Sequence, residues 1–407
     1  RDALVGLVGS EMCIRDREKR AGEFLLAPGG PFYELQRLLG MLREDAFNAA
    51  PRALLFVAIA WGVPLVLSMV AGSAFGAASD GPYLYDLVVW SRFFVAVGLF
   101  LLMEKGVEER LRTCLLQFVQ APLLAPGSLA AMAAAVKRAL GRRDSRTAEV
   151  VCLAIALLGS MATCLRVLDS ATANWAVQVA TTGNSLTLAG WWAVFVSNTI
   201  FVFLLLRWLW RLCVWGLLLH DLAALDLRLV ATHPDGHGGL AFLGNYPNAY
   251  AMFVFAVSCV LGAVVANELM NATLTATTYG MLMTGWLVVV LVLFAIPLLA
   301  FNKPLGRLKE KTLLAYSTNS TRHYRASERE LLGRNIAASE DSAEETTTDI
   351  PDPAMAYTAA RKLSGMIVSR TALVPLSLAA LLPLVAAGAT QLPLGEVLKV
   401  MKGLLLI

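Results

Sequence analysis

Six apolar runs of bilayer-crossing length alternate with polar stretches along the chain. They lie near 53–70, 87–103, 148–168, from Trp191 onward, 249–267 and 280–301. About 20 consecutive apolar residues suffice to cross a hydrocarbon core. A further apolar stretch, Thr371–Ala389, carries Pro375 and Pro383 and has the length either to span or to re-enter. The pattern therefore predicts an all-α fold, a polytopic membrane helix bundle of six to seven transmembrane helices with helical loops. Pro64 falls inside the first run. Membrane helices tolerate such a proline when neighbours satisfy the freed carbonyl.

The polar stretches divide into two kinds. Residues 71–86, 169–190 and 268–279 contain no Lys or Arg. The alternate stretches are basic: Glu104–Thr147 holds eight Lys/Arg, and Asn302–Arg370 holds eleven. Basic residues collect in cytoplasmic loops. The N-terminus, Glu104–Thr147, His220–Asn248 and Asn302–Arg370 are thus expected inside, with the three loops that lack Lys and Arg outside.

This spacing sets the expected organisation. Residues 17–52 form a cytoplasmic N-terminal segment, in which Phe32–Asp45 has the Leu spacing of a helix lying on the membrane surface. Residues 53–301 form a six-helix membrane domain. Within Glu104–Thr147 two short helices are expected, the second with Ser128 as N-cap. Residues 302–370 hold a helix, Arg307–Leu332, and an acidic linker from Ser339 whose composition predicts disorder. Residues 371–407 form the seventh apolar segment and an amphipathic tail. Arg1–Asp16 resembles the conceptual translation of a sequencing adapter, with EMCIRD (Glu11–Asp16) carrying the likeness. It is set apart from the fold as a non-native stretch.

Composition agrees with the pattern. The 407 residues are 57% hydrophobic and only 16% charged, with mean hydropathy +0.63, against about 25% charged in soluble domains. The net charge of +4 is too small to point to a nucleic-acid partner. Of the six cysteines, Cys152, Cys164, Cys213 and Cys259 sit in apolar segments and read as small buried hydrophobes.

Three groups of residues carry candidate chemistry. Arg92 lies well inside the second run. A centred arginine costs at least about 2.5–3.5 kcal/mol on insertion scales, so it should face the bundle and find an acceptor. Asp86 and Asp169 are the candidates, with Arg166 one turn before Asp169. Arg207 and Arg211, flanked by tryptophans, are expected to face lipid and reach headgroup phosphates, with Arg211 stacking on Trp208 or Trp215. Glu104 ends the second run and should pair with a basic residue of the inner layer.

The third group is Ala231–Gly239, ATHPDGHGG. One reading is structural: Pro234 breaks the helix, Asp235 caps a turn, and Gly238 and Gly239 supply its backbone angles. A second reading is an anion nest made by the glycine amides beside Arg228. A weaker alternative is a metal site of His220, His233, Asp235 and His237, although the spacing matches no zinc motif. No cofactor motif is present, and no cofactor is expected.

HPDxxGGL, with RWLWR upstream, resembles a family of bacterial multi-pass membrane proteins without an assigned activity. His233, Pro234, Asp235, Gly238, Gly239 and Leu240 carry the loop motif, and Arg207, Trp208, Trp210 and Arg211 the helix motif. Asp86–Glu104 and Arg143–Val150 extend the likeness. Gly236 and His237 fall on the family's variable positions, which argues against a metal site needing His237. The resemblance implies a bacterial inner membrane. Three functions stay open: a transporter or channel for a small solute or ion, ranked first; a sensor or assembly factor; and a membrane-surface enzyme or anion and lipid-headgroup binder using the HPD loop. The expected partners are the bilayer and its anionic headgroups, with homo-oligomerisation left open.

Overall fold

The computed structural model describes residues 31–38, 49–76, 81–169, 174–180, 183–270, 275–337, 353–367, 370–391 and 393–405. The adapter-like stretch, nearly all of the acidic linker and the second half of the amphipathic stretch ending at Asp45 lie outside these. Helix α1 is Pro31–Leu38, α2 Ala49–Val70 and α3 Leu87–Gln120. Leu129–Arg143 and Arg146–Leu168 form α4 and α5; Leu188–Ala223 is α6. Ala251–Met270 and Ala276–Leu299 are α7 and α8. Asn302–Leu332, Ala354–Lys362, Arg370–Gly388 and Leu394–Leu405 are α9 to α12. The fold is all-α, and among the described residues six helical stretches, carried by α2, α3, α5, α6, α7 and α8, are long and apolar enough to cross a membrane.

Helices satisfy their backbone internally, so apolar sequence without water must adopt them. Polar residues fix where they begin. Asp86 caps α3, accepting from the amides of Val88 (2.9 Å) and Val89 (3.2 Å). Ser145 caps α5, Thr187 caps α6 and Thr275 caps α8. Ser128 does not cap α4 as its sequence suggests. It sits in a 3₁₀ turn, Pro126–Ser128, with helical backbone angles and no side-chain bond to the helix. An N-cap needs extended backbone to aim its hydroxyl at the helix amides. Gly333, with φ 72°, closes the 31-residue α9 in the left-handed conformation.

Pro64 leaves a mark in α2. The turn before it, Ala58–Gly62, widens to a π-helix. Neighbours serve its carbonyls: the Trp192 indole donates to Ile59 O (3.0 Å) and the Tyr83 hydroxyl to Trp61 O (2.7 Å). Trp192 therefore points into the bundle, while Trp191 stays exposed. Two further π segments occur, Trp90–Ala96 in α3 and Ala193–Ser197 in α6. The one in α2 packs against both.

Close approach holds the bundle together, as expected where lipid removes the ordinary hydrophobic drive. Helix α11, the seventh apolar segment, packs along α7 and α8. Gly262 of α7 faces the Pro383 carbonyl so closely that an added Cβ would lie 2.9 Å from it. The Tyr279 hydroxyl of α8 donates to Leu384 O (2.8 Å). Leu376, Ala380, Leu381 and Leu384 are consequently buried.

The two ends of the bundle differ. At one end, Tyr83–Tyr85 and a two-stranded antiparallel hairpin, β1 (Val177–Ala180) with β2 (Gly183–Leu186), cover the helix starts. Nothing in the sequence reading anticipated this hairpin. At the other end lie α1, the second half of α3, α4, the HPD loop, α9 and α10. We call this the basic face.

Candidate functional site

A cavity of about 180 Å³ opens near the hairpin end, between α3, α5 and α6. Asp86, Arg92, Thr163, Asn174, Trp175 and Asn198 give it its polar lining. Two of the three π segments among the described residues border it, and such segments often mark functional positions. Arg92 belongs to one of them. Its Nη1 donates to Asn198 Oδ1 at 3.4 Å, and its Cζ lies 5.6 Å from the Phe201 ring centroid. Its Nε is buried without an acceptor among the described residues. Asn198 in turn donates to Ser160 Oγ (3.1 Å), which bonds Thr199 Oγ1 (2.9 Å).

The expected ion pair of Arg92 is not formed. Asp86 lines the same cavity but spends its carboxylate on the cap of α3 and on the Trp175 indole (3.1 Å). Asp169 and Arg166 are exposed at the end of α5, and no ion pair joins them among the described residues. A carboxylate holding three N–H donors has little left to offer a guanidinium, whose five donors need several acceptors.

A second charged group sits toward the basic face. Glu104 is 2% exposed, and three arginines converge on it: Arg52 (1%), Arg207 (5%) and Arg211 (3%). The contacts are 3.0 Å from Arg52 Nη1, 3.4 Å from Arg207 Nη1 and 3.1 Å from Arg211 Nη1. Arg207 Nε also approaches Glu149 Oε1 (3.4 Å). Glu149 Oε2 accepts from the Phe32 amide (2.7 Å), and the Phe32 ring lies 4.9 Å from Arg207 Cζ. Arg211 stacks on Trp208 at 4.9 Å. The expectation that Arg207 and Arg211 face lipid is therefore wrong. Both pair instead with the buried Glu104 carboxylate, and charges taken out of water persist only when paired in this way. Likewise α1 docks against the bundle through Phe32 rather than only lying on a membrane. Glu104, Glu149 and Arg52 tie α3, α5 and α2 to α6.

The HPD loop is a closed hydrogen-bonded turn. Asp235 Oδ1 accepts from the amides of His237 (2.8 Å) and Gly239 (3.1 Å); Oδ2 accepts from Gly239 (3.0 Å) and Ala241 (3.1 Å). His233 Nδ1 lies 2.8 Å from Oδ1. Burial pushes the Asp235 carboxyl up, but the amides of His237, Ala241 and Gly239 and the contact with His233 outweigh it and leave the group below its ordinary value. Gly238 and Gly239 take φ of 68° and 96°. A Cβ at Gly239 would lie 3.0 Å from Leu123. The loop packs on a small core of Ala231, Ala360 and Leu363 beside α9. The Ser364 amide donates to Gly236 O (2.9 Å).

This geometry corrects the anion-nest reading, because Asp235 itself occupies the nest. Arg228 is exposed, and its amide donates to Leu123 O (2.7 Å), outside the loop. His220 stands apart, at the end of α6, where it borders a different cavity with Asp226. No group of three or more His, Cys, Asp or Glu placed to hold a metal occurs among the described residues. Cys213 also departs from expectation, facing outward and exposed.

Sequence reasoning missed Arg52, Glu149 and Asn198. Asn198 carried a usable signal, a polar residue deep in WWAVFVSNTIF. Arg52 and Glu149 carried less, since both stand at span ends where charges normally meet water. No family model, curated protein or solved structure matches this chain significantly. Its function has to be read from the site itself.

Proposed function

We propose that this chain is a multi-pass transporter for a small anionic solute, recognised in the Arg92 cavity. One observation carries the reading: a guanidinium in a cavity among the apolar helices, with a long contact to Asn198 and a buried Nε that has no acceptor among the described residues. Arginine's planar fork suits a carboxylate or a similar oxyanion. Asn198, Thr163 and Asn174 add neutral hydrogen-bonding groups, and the cavity's size favours a small solute over a lipid or a peptide. The basic loops support an orientation with their face toward the cytoplasm, so the cavity opens outward. The HPDxxGGL resemblance supports a bacterial inner membrane as the setting.

Purified chain in liposomes, offered a panel of small carboxylates and oxyanions, tests the reading. Saturable uptake of one of them, lost in Arg92→Ala, is the expected result. No uptake of any member would sink it. A sensor is the second reading, favoured by the aromatic floor beneath Arg92. Phe100 lies 6.1 Å from Phe201 and 5.6 Å from Phe253, all buried. Asn198 and Arg207 themselves stand roughly 13 Å apart along α6, at 1.5 Å per residue. Binding of a panel member without flux would favour this second reading.

A further inference from the structure

We infer that the basic face carries a binding site for the phosphate headgroup of an anionic phospholipid, in the cleft between the end of α6 and the start of α9. The cleft encloses about 610 Å³. Lys303, Arg307 and Lys311 line one wall, His220 and Asp226 the other, over an apolar floor that includes Leu227 and Leu308.

The three cations stand four residues apart, so they form one stripe along α9. All three are exposed, and none forms an ion pair with a described residue. They contrast with Lys309, on another face, whose Nζ donates to Leu363 O (2.8 Å). Three uncompensated cations beside one carboxylate leave the cleft net positive. Its chemistry calls for a multiply accepting anion such as a phosphate.

The helix above the cleft identifies the source of that phosphate. Val292, Ile296 and Leu299 of α8 are exposed at 52%, 57% and 46%. Their spacing puts them on one stripe, and Ala300 carries that stripe into the cleft. Helix α9 begins two residues later, at Asn302. One surface thus changes from exposed apolar to exposed basic within about one helical turn. A free phosphate would use only the second half of it. A phospholipid uses both, with acyl chains along Val292, Ile296 and Leu299 and its phosphodiester among Lys303, Arg307 and Lys311. This site is separate from the Arg92 cavity, and the inference does not depend on the transport reading.

The test uses the full chain purified in detergent. Bound phosphatidylglycerol is counted by native mass spectrometry and read as thermal stabilisation on titration. Phosphatidylcholine and inorganic phosphate are the comparison probes. K303A/R307A/K311A should bind phosphatidylglycerol roughly 100-fold more weakly, from about 1 kcal/mol per basic residue and 1.4 kcal/mol per tenfold. A charge-matched control, K105A/R112A/K362A, should bind as the unaltered chain does. K303R/R307K/K311R should retain binding, which guards against a folding defect in the alanine variant. Asp226→Asn should tighten binding, because it removes the one carboxylate in the cleft. Equal loss in the control, or no loss in the alanine variant, would overturn the site. Stabilisation by inorganic phosphate matching that by phosphatidylglycerol would overturn the lipid assignment.

Discussion

Arg211 Nη1 lies 3.1 Å from Glu104 Oε1, with both side chains closed off from solvent. The pair joins α6 to α3 at the point where the apolar part of α3 ends and its polar half begins. Arg52 and Arg207 share the same carboxylate. Such a group is worth little as net stabilisation against an apolar replacement. Breaking it by removing one member strands charges in a dry place.

Glu104→Gln should therefore destabilise the chain by about 3–5 kcal/mol, read by SDS titration in mixed micelles. Lys105→Gln, next in sequence but exposed, should stay within about 0.5 kcal/mol. Equal effects would mean that the cluster does not hold α3 to α6.

Asp235→Ala should cost about 1.5–3 kcal/mol, because it leaves turn amides without their acceptor. His237→Ala loses only a local contact from its ring to Asp235 O and should cost less than about 1 kcal/mol. The acid side has a fixed sign. The folded carboxyl lies below its unfolded value, so its contribution is complete above about pH 5 and is lost as pH falls through the folded value. The stability gap between the unaltered chain and Asp235→Asn should stay constant near neutrality and narrow in acid. A gap that widens in acid would contradict the turn geometry.

Asn198→Leu should leave the Arg92 guanidinium without the hydrogen-bonding side chain it has among the described residues and lower solute uptake in liposomes together with thermal stability. An orphaned buried donor to a charged group costs about 1.5–3 kcal/mol. Arg92→Lys should keep the charge but lose the planar fork, so KM should rise more than maximal rate falls. Unchanged KM in Arg92→Lys would remove Arg92 from solute recognition.

Gly190 tests the hairpin end. A Cβ there would collide with the Ala176 carbonyl just before β1. Backbone cannot step aside as a flexible side chain can, so Gly190→Ala should destabilise by about 1–3 kcal/mol. Gly285→Ala, in open space on α8, should be neutral or slightly stabilising. The reverse order would mean that the hairpin does not seat on α6.

Single cysteines test the proposed orientation, in a background lacking the native ones. Tyr85→Cys and Arg112→Cys both stand at exposed positions, at opposite ends of α3. In intact cells an impermeant thiol reagent should modify the first and spare the second. The opposite pattern would invert the topology.

The run lengths were enough to determine an all-α bundle with six helices long and apolar enough to cross a membrane. Run length is a one-dimensional property, since the bilayer sets a helix length and the backbone must satisfy itself within it. The turn chemistry of His233, Pro234, Asp235, Gly238 and Gly239 was legible for the same reason, because its bonds run between residues a few positions apart. Partner choice was not legible. Arg207 and Arg211 read as lipid-facing because their nearest sequence neighbours are tryptophans at a span end. Their acceptor, Glu104, lies more than a hundred residues away and becomes their neighbour only when α3 packs on α6. The same holds for Arg92, which passes over Asp86, six residues away, for Asn198. Asp86 had already been taken by the start of its own helix and by Trp175. Charge position along a chain says that an ion needs a partner; only packing, which decides what is within 4 Å and what is dry, says which one.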